Sequence, residues 1–334
     1  MNFFLRTFFP VFILFICISS CNNNDDSSPY SELLSRPPYS KLTDSIHQNS
    51  SDPDLYYRRG MLLFKNNNNP PALADFRKAW SLNKKEIYAV NISNVLLEEK
   101  PDSAIAFLKE ALNTLPSSIP LHINLIQAYA DQRKTDEALT ICDAVLTQHP
   151  EQVGILMVKS DLLDQKNDTV GSLKTLEQAY HYAPANEDLC YNLAFKYAQN
   201  KNSKVLALCD SLLKTDTINK KAEPYYFKGV YYSNMNDKTN ALNYFNKAIE
   251  FDYTFLDAYM DKGRLLFEQK KFKDAAGVFQ LALKISATYA DAYYWLGKCQ
   301  EAMGQKEDAR SNYLRAYGLD KSLTDAKDAA DKIK

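Results

Sequence analysis

Apolar and small residues recur along most of this chain at helical spacing, and the spacing itself repeats. Gly229, Gly263 and Gly297 lie 34 residues apart. Twelve positions after each stands an alanine (Ala241, Ala275, Ala309). Four further comes an aromatic ring (Phe245, Phe279, Tyr313), and three beyond that a second alanine (Ala248, Ala282, Ala316). Within one period, Tyr293, Leu296, Gly297 and Gln300 mark one amphipathic helix and Ala309, Tyr313 and Ala316 a second, with a turn at Met303–Lys306. Self-similarity at this period predicts an array of two-helix units, each burying its apolar face only against its neighbours.

The grid extends backwards through Ser160/Ser172/Leu176/Ala179, Ile126/Ala138/Cys142/Val145, Ile92/Ala104/Leu108/Ala111 and Gly60/Ala72/Phe76/Ala79. Leu193 and Ala194 belong to a degenerate unit, longer by one residue, whose second half (Val205 to Leu213) keeps the apolar spacing but loses the small-residue signature. The predicted units are 53–84, 85–118, 119–152, 153–186, 187–221, 222–255, 256–289 and 290–323. Short side chains let two antiparallel helices approach closely, and the ring fills the space left beside them. Pro116, Pro150 and Pro184 stop second helices and aim the chain into the next unit. In the tail 324–334, Ala326, Ala329, Ala330 and Ile333 share one helical face, with Thr324 as the expected N-cap. It reads as a polar-backed helix covering the last unit.

These residues resemble the tetratricopeptide repeat pattern W-x2-L-G-x2-Y, then A-x3-F, then P, with Tyr293 in the tryptophan place of the last unit. The resemblance spans residues 53–323. It implies an all-α fold, a right-handed superhelical solenoid of about eight helix-turn-helix units with a capping helix at its end. It also implies a binding module and not an enzyme.

Ahead of the repeats, residues 7–20 are nearly all apolar and follow a single positive charge at Arg6. The run is short for a membrane span and fits a secretory signal peptide, residues 1–20. Ile18-Ser19-Ser20-Cys21 resembles the bacterial lipobox, which implies lipid attachment, palmitate included, at Cys21 and anchorage to a bilayer. Residues 21–52 then read as the lipidated cysteine and a flexible tether, since the Asn/Asp/Ser run, Pro29, Pro37 and Pro38 carry no sustained pattern. Asn22 directly after the cysteine, where an aspartate would signal retention in the inner membrane, implies the outer membrane. Asp25-Asp26 resembles surface-export signals, so the periplasmic and the cell-surface sides both stay open.

Forty basic and forty-one acidic residues, with no long run of either sign, argue against a nucleic-acid surface. Cys142, Cys190, Cys209 and Cys299 fall at or beside core positions and read as small buried hydrophobes. Cys190 and Cys209 share one unit, and whether they are bonded is open. The motifs H-E-x-x-H, G-x-S-x-G, C-x-x-C and a Walker-type glycine loop are absent, and the four histidines are scattered. No catalytic residue, cofactor or metal is therefore assigned.

In the resembled family the first helices line a concave face. The side chains three before and one after the glycine position stand on that face one turn apart. The carboxylate-clamp members need Lys and Asn there, and no unit has both. The positions carry an aromatic and methionine lining instead. The residues assigned to a partner-binding groove are Tyr57, Tyr191, Phe195, Tyr226, Met260, Arg264, Tyr294 and Lys298. Packing of these side chains against neighbouring first helices is the competing reading. A row of acids lies six before the glycine position: Asp54, Glu86, Asp188, Glu223, Asp257 and Asp291. The helix dipole accounts for acids in a first turn, and selection of a basic ligand segment is the second reading. The expected function is a lipid-anchored envelope adaptor binding protein or peptide partners. The alternative is a surface lipoprotein binding nutrient glycan or peptidoglycan.

Overall fold

The computed structural model describes residues 29–215 and 221–333, and all regular structure there is helical. The signal segment and Cys21 lie outside the described residues. The chain divides after residue 124 into two compact units.

The first unit contains α1 (Ser31–Leu34), α2 (Ser40–Gln48), α3 (Pro53–Lys65), α4 (Asn69–Leu82), α5 (Glu86–Glu99), α6 (Pro101–Thr114) and the start of α7 (Ile119–Asp131). Consecutive helices from α2 to α6 pack on one another. Proline in the first turn of α3, α4 and α6 presets helical φ where an N–H would be unpartnered anyway. At the head of α3, Asp52 also accepts the Asp54 N–H at 2.9 Å.

The expected tether needs correction over its second half. Residues 40–48 form α2, with Tyr39 and Ile46 buried and the helix packed on α3. A buried polar knot fixes it. The Arg59 guanidinium donates to both carboxylate oxygens of Asp75 at 2.8 and 2.7 Å and to Thr43 Oγ1 at 3.0 Å. Thr43 in turn donates to the Leu34 carbonyl at 2.9 Å.

In the second unit α7 continues into α8 (Thr135–Gln148), α9 (Val153–Gln165), α10 (Thr169–Tyr182), α11 (Glu187–Gln199), α12 (Lys204–Thr215), α13 (Glu223–Asn234), α14 (Lys238–Phe251), α15 (Leu256–Glu268), α16 (Phe272–Ile285), α17 (Ala290–Ala302), α18 (Lys306–Leu319) and α19 (Thr324–Lys332). Ala326 and Ala330 of α19 are fully buried against Tyr293, Tyr313 and Ala316, and Ala329 and Ile333 pack beside them. The capping helix thus forms as expected, but Leu323 holds the N-cap position and Thr324 is the first helical residue.

The glycine positions behave as the spacing predicts. A Cβ on Gly60 would lie 2.7 Å from the Phe76 ring, on Gly229 2.5 Å from Phe245, on Gly263 2.5 Å from Phe279 and on Gly297 2.8 Å from Tyr313. Where the position is larger, the side chain sixteen residues on is smaller. Ile92 faces a unit with Leu108, Ile126 one with Cys142, and Ser160 one with Leu176, all buried. Ser160 and Ser172 close their gap with an Oγ–Oγ hydrogen bond of 2.8 Å. The volume is shared between the two helices of a unit.

Seven turns between first and second helices hold a residue at positive φ: Asn67, Arg133, Asn167, Lys201, Asn236, Lys270 and Gly304. Each stands seven beyond its glycine position. Between α5 and α6 only Lys100, at φ −148°, separates the helices. A left-handed conformation costs an L-residue about 1–2 kcal/mol, part of which glycine returns through unfolded-state entropy. Lys270→Gly is therefore expected to stabilise the protein by about 0.5–1 kcal/mol. Gly304→Ala should destabilise it by a similar amount, and denaturant midpoints check both.

Candidate partner-binding face

The first helices of the second unit contact one another in sequence, α11 with α13, α13 with α15 and α15 with α17. Their common face carries most of the side chains assigned to the groove. Tyr191 and Phe195 are half-buried, their ring centroids 6.1 and 5.6 Å from that of Phe227. Tyr226 packs its ring against Phe245 and Phe255 and donates its hydroxyl to Asp261 Oδ2 at 2.9 Å, tying α13 to α15. Burial, and then the Asp261 carboxylate, hold that hydroxyl far above the usual tyrosine range.

One turn along α15, Arg264 lies over the Trp295 ring at 5.4 Å and reaches Asp261 only at 3.4 Å. Its Nε is buried without a hydrogen-bond partner. From α17, the Lys298 ammonium stands 4.6 Å from the Trp295 ring and 5.5 Å from Tyr294. Tyr294 is half-buried beside Trp295 and Tyr313. Trp295, contacted by two cations, was not among the residues assigned from sequence. The available signal was the cation pair Arg264 and Lys298 on adjacent repeats, since an aromatic face favours such neighbours.

Two assigned residues depart from the expectation. Met260 is only 2 % exposed and belongs to a core with Leu266, Phe279 and Leu296, against which Tyr289 and Trp295 pack. These two bulky rings, Tyr289 at the end of the same repeat and Trp295 from the following one, pack against that core, so Met260 is core and not lining. Tyr57 lies in the first unit, its ring 5.2 Å from Tyr88 and 6.0 Å from Phe76. It contributes packing there and is not part of the second unit's face. The front of the acidic row is structural too. Asp54 accepts from the Tyr88 hydroxyl and from Lys85 at 3.1 Å, bracing α3 against the next repeat.

Between α13 and α15 the surface dips into a pocket of about 170 Å³ lined by Val230, Ser233, Asn234, Asp261, Arg264 and Glu268, with Phe245 and Leu265 at its base. Small-molecule sites are typically roughly 300–1,000 Å³, so this one suits a side chain of a larger partner. Burial raises the Asp261 carboxyl, more than the Tyr226 hydrogen bond and Arg264 lower it. A carboxyl with a raised folded-state pKa contributes stability that is complete below its ordinary value and lost as pH rises through the raised one. Asp261→Asn keeps an acceptor for Tyr226. It is expected to flatten the fall in stability between pH 4 and neutrality, read as the difference in urea midpoint between variant and wild type.

The described cysteines are all buried and free. Cys190 and Cys209 are unbonded and lie in one apolar cluster. Burial pushes the Cys142, Cys209 and Cys299 thiols up to about 12. Among the described residues no group of His, Cys, Asp and Glu is arranged to hold a metal ion, and no helix is long and apolar enough to cross a membrane.

Family models for the tetratricopeptide repeat match residues 95–162, 222–255 and 290–323, and a further model of the same repeat matches 263–304. The chain carries tetratricopeptide repeats. Tetratricopeptide repeat protein 14 of Mus musculus is 33 % identical over 114 residues, 31 % of this chain and 15 % of that protein. An uncharacterized protein of Methanocaldococcus jannaschii, MJ0572, is 33 % identical over 115 residues, 34 % of this chain and 94 % of that one. The crystal structure of a tetratricopeptide repeat protein from Parabacteroides merdae shares the fold with a TM-score of 0.59 at 20 % identity, covering 73 % of this chain and 96 % of that one. The chain spans only 12–17 % of the length of the first curated relatives it matches. Tetratricopeptide repeats form scaffolds for protein–protein interaction.

Proposed function

We propose that this tetratricopeptide repeat protein is a lipid-anchored adaptor of a bacterial cell envelope, which docks partner proteins on the first-helix face of its second unit. The carrying observation is the set of half-buried rings, Tyr191 and Phe195 on α11, Tyr226 on α13 and Tyr294 on α17, with Arg264 and Lys298 beside it. Aromatic side chains bury large areas at low entropic cost, and Tyr and Arg are enriched where binding energy concentrates. Support for the anchor is the Ile18-Ser19-Ser20-Cys21 sequence, and for the outer membrane Asn22 after it. The mechanism is binding, without chemistry on the partner.

Affinity purification after in-cell cross-linking tests the docking face. A partner recovered with wild type and lost with Tyr191→Ala/Tyr294→Ala supports it, provided the variant keeps its helical circular dichroism. Equal recovery by both would move the site elsewhere. Cys21→Ser tests the anchor independently and is expected to shift the protein from the membrane pellet to the soluble fraction.

A further inference from the structure

Resting on that docking reading, we infer that the face of α13, α15 and α17 takes a partner segment bearing lysine or arginine side chains. Four carboxylates stand on this part of the face, Asp257, Asp261, Glu268 and Asp291, against Arg264 and Lys298 from the first helices and Lys238 from α14. None of these cations neutralises them well. Arg264 lies across Trp295 and holds Asp261 only at 3.4 Å, and Lys298 faces rings and makes no ion pair among the described residues. Glu268 has Lys238 at 3.6 Å, a long contact between partly exposed groups. Asp257 is exposed and Asp291 half-buried, and among the described residues neither makes an ion pair.

Three of these carboxylates, Asp257, Asp261 and Asp291, act on the same groups. The half-buried hydroxyl of Tyr289 is influenced by Asp257, Asp261, Asp291 and Arg264 together, and that of Tyr226 by Asp261, Asp257 and Arg264. Around them stand the rings of Tyr226, Tyr289, Tyr294 and Trp295, whose faces attract cations. The pocket between α13 and α15 has room for one side chain and offers Asp261 and Glu268 as acceptors on its wall. An acidic segment would meet net repulsion, and a neutral one would leave these carboxylates desolvated without a counter-charge.

The test uses purified full-length protein and three twelve-residue peptides with identical apolar residues, carrying lysine, glutamine or glutamate at the remaining positions. The lysine peptide is expected to bind about tenfold more tightly than the glutamine peptide. Asp257→Asn/Asp291→Asn should bring the two within about threefold, because both residues lie outside the hydrogen-bonded core and their loss leaves the fold intact. Asp274→Asn/Asp308→Asn removes the same charge from exposed positions on α16 and α18 and should leave the preference unchanged. Equal binding of all three peptides, abolished by Tyr191→Ala/Tyr294→Ala, would overturn the charge selection and leave the docking face standing. A preference that falls equally in both Asp→Asn pairs would overturn it as general electrostatic attraction. No binding by any peptide would count against the docking face as well.

Discussion

Gly263→Ile is expected to destabilise the protein by about 3 kcal/mol, and Phe279→Leu to recover much of that loss when combined with it. A Cβ at position 263 falls 2.5 Å from the Phe279 ring, and the ring is fully buried, so it has no free space to turn into. Overpacking of this kind costs about 1–3 kcal/mol, and a branched side chain stands at the upper end. Phe279→Leu alone removes ring atoms and leaves a cavity, at about 1–2 kcal/mol. In the double variant the isoleucine occupies what the ring vacates, reproducing the Ile92/Leu108 pairing that the second repeat already uses. The two changes should therefore couple by about 1–2 kcal/mol in a double-mutant cycle. Strict additivity in urea denaturation would show that the sixteen-residue spacing does not share one volume.

Asp75→Ala should lower stability by about 3–5 kcal/mol, because it strands the buried Arg59 guanidinium. Its second effect is local. Arg59 also donates to Thr43, so α2 loses its polar latch and residues 40–48 should become sensitive to protease before the repeats do. Arg59→Met/Asp75→Leu removes both charges and keeps the volume, and is expected to fall within about 1 kcal/mol of wild type. If the single and double variants were equally unstable, the value of these residues would lie in their pairing and not in avoiding a buried lone charge.

The repeats were legible because their determinants are local. The glycine, the alanine twelve on and the ring sixteen on belong to one helix pair, so volume matching leaves its mark within one period of sequence. The same locality fixed α19, where four apolar positions share one face. Helix α2 was missed for the opposite reason. Its apolar face is only Tyr39, Leu42 and Ile46, follows Pro37-Pro38, and is held by Arg59 and Asp75 from further along the chain. One signal was present. Arg59 occupies the place directly before the glycine where the repeat pattern has leucine, and a cation there needs a buried partner. Lys228 holds the same place two units after Ser160 and is likewise buried, paired with Asp210 at 2.5 Å.

The face was legible only in outline. Spacing located the rings on first helices, but exposure at each position depends on the bulk supplied by the next repeat. Trp295, from the next repeat, packs against the core that contains Met260, whereas Tyr191 and Phe195, beside Phe227, remain half-exposed. The Tyr226–Asp261 hydrogen bond joins residues 35 apart, and neither residue type announces the other.

Photo-cross-linking in cells shows which helix face meets the partner. A benzophenone amino acid is placed singly at Val230 or Tyr294 on the first-helix face, and at Leu281 or Leu314, which are exposed on α16 and α18. One discrete cross-linked partner is expected from positions 230 and 294 and none from 281 or 314. The same partner captured only from the second-helix positions would contradict docking on the first-helix face.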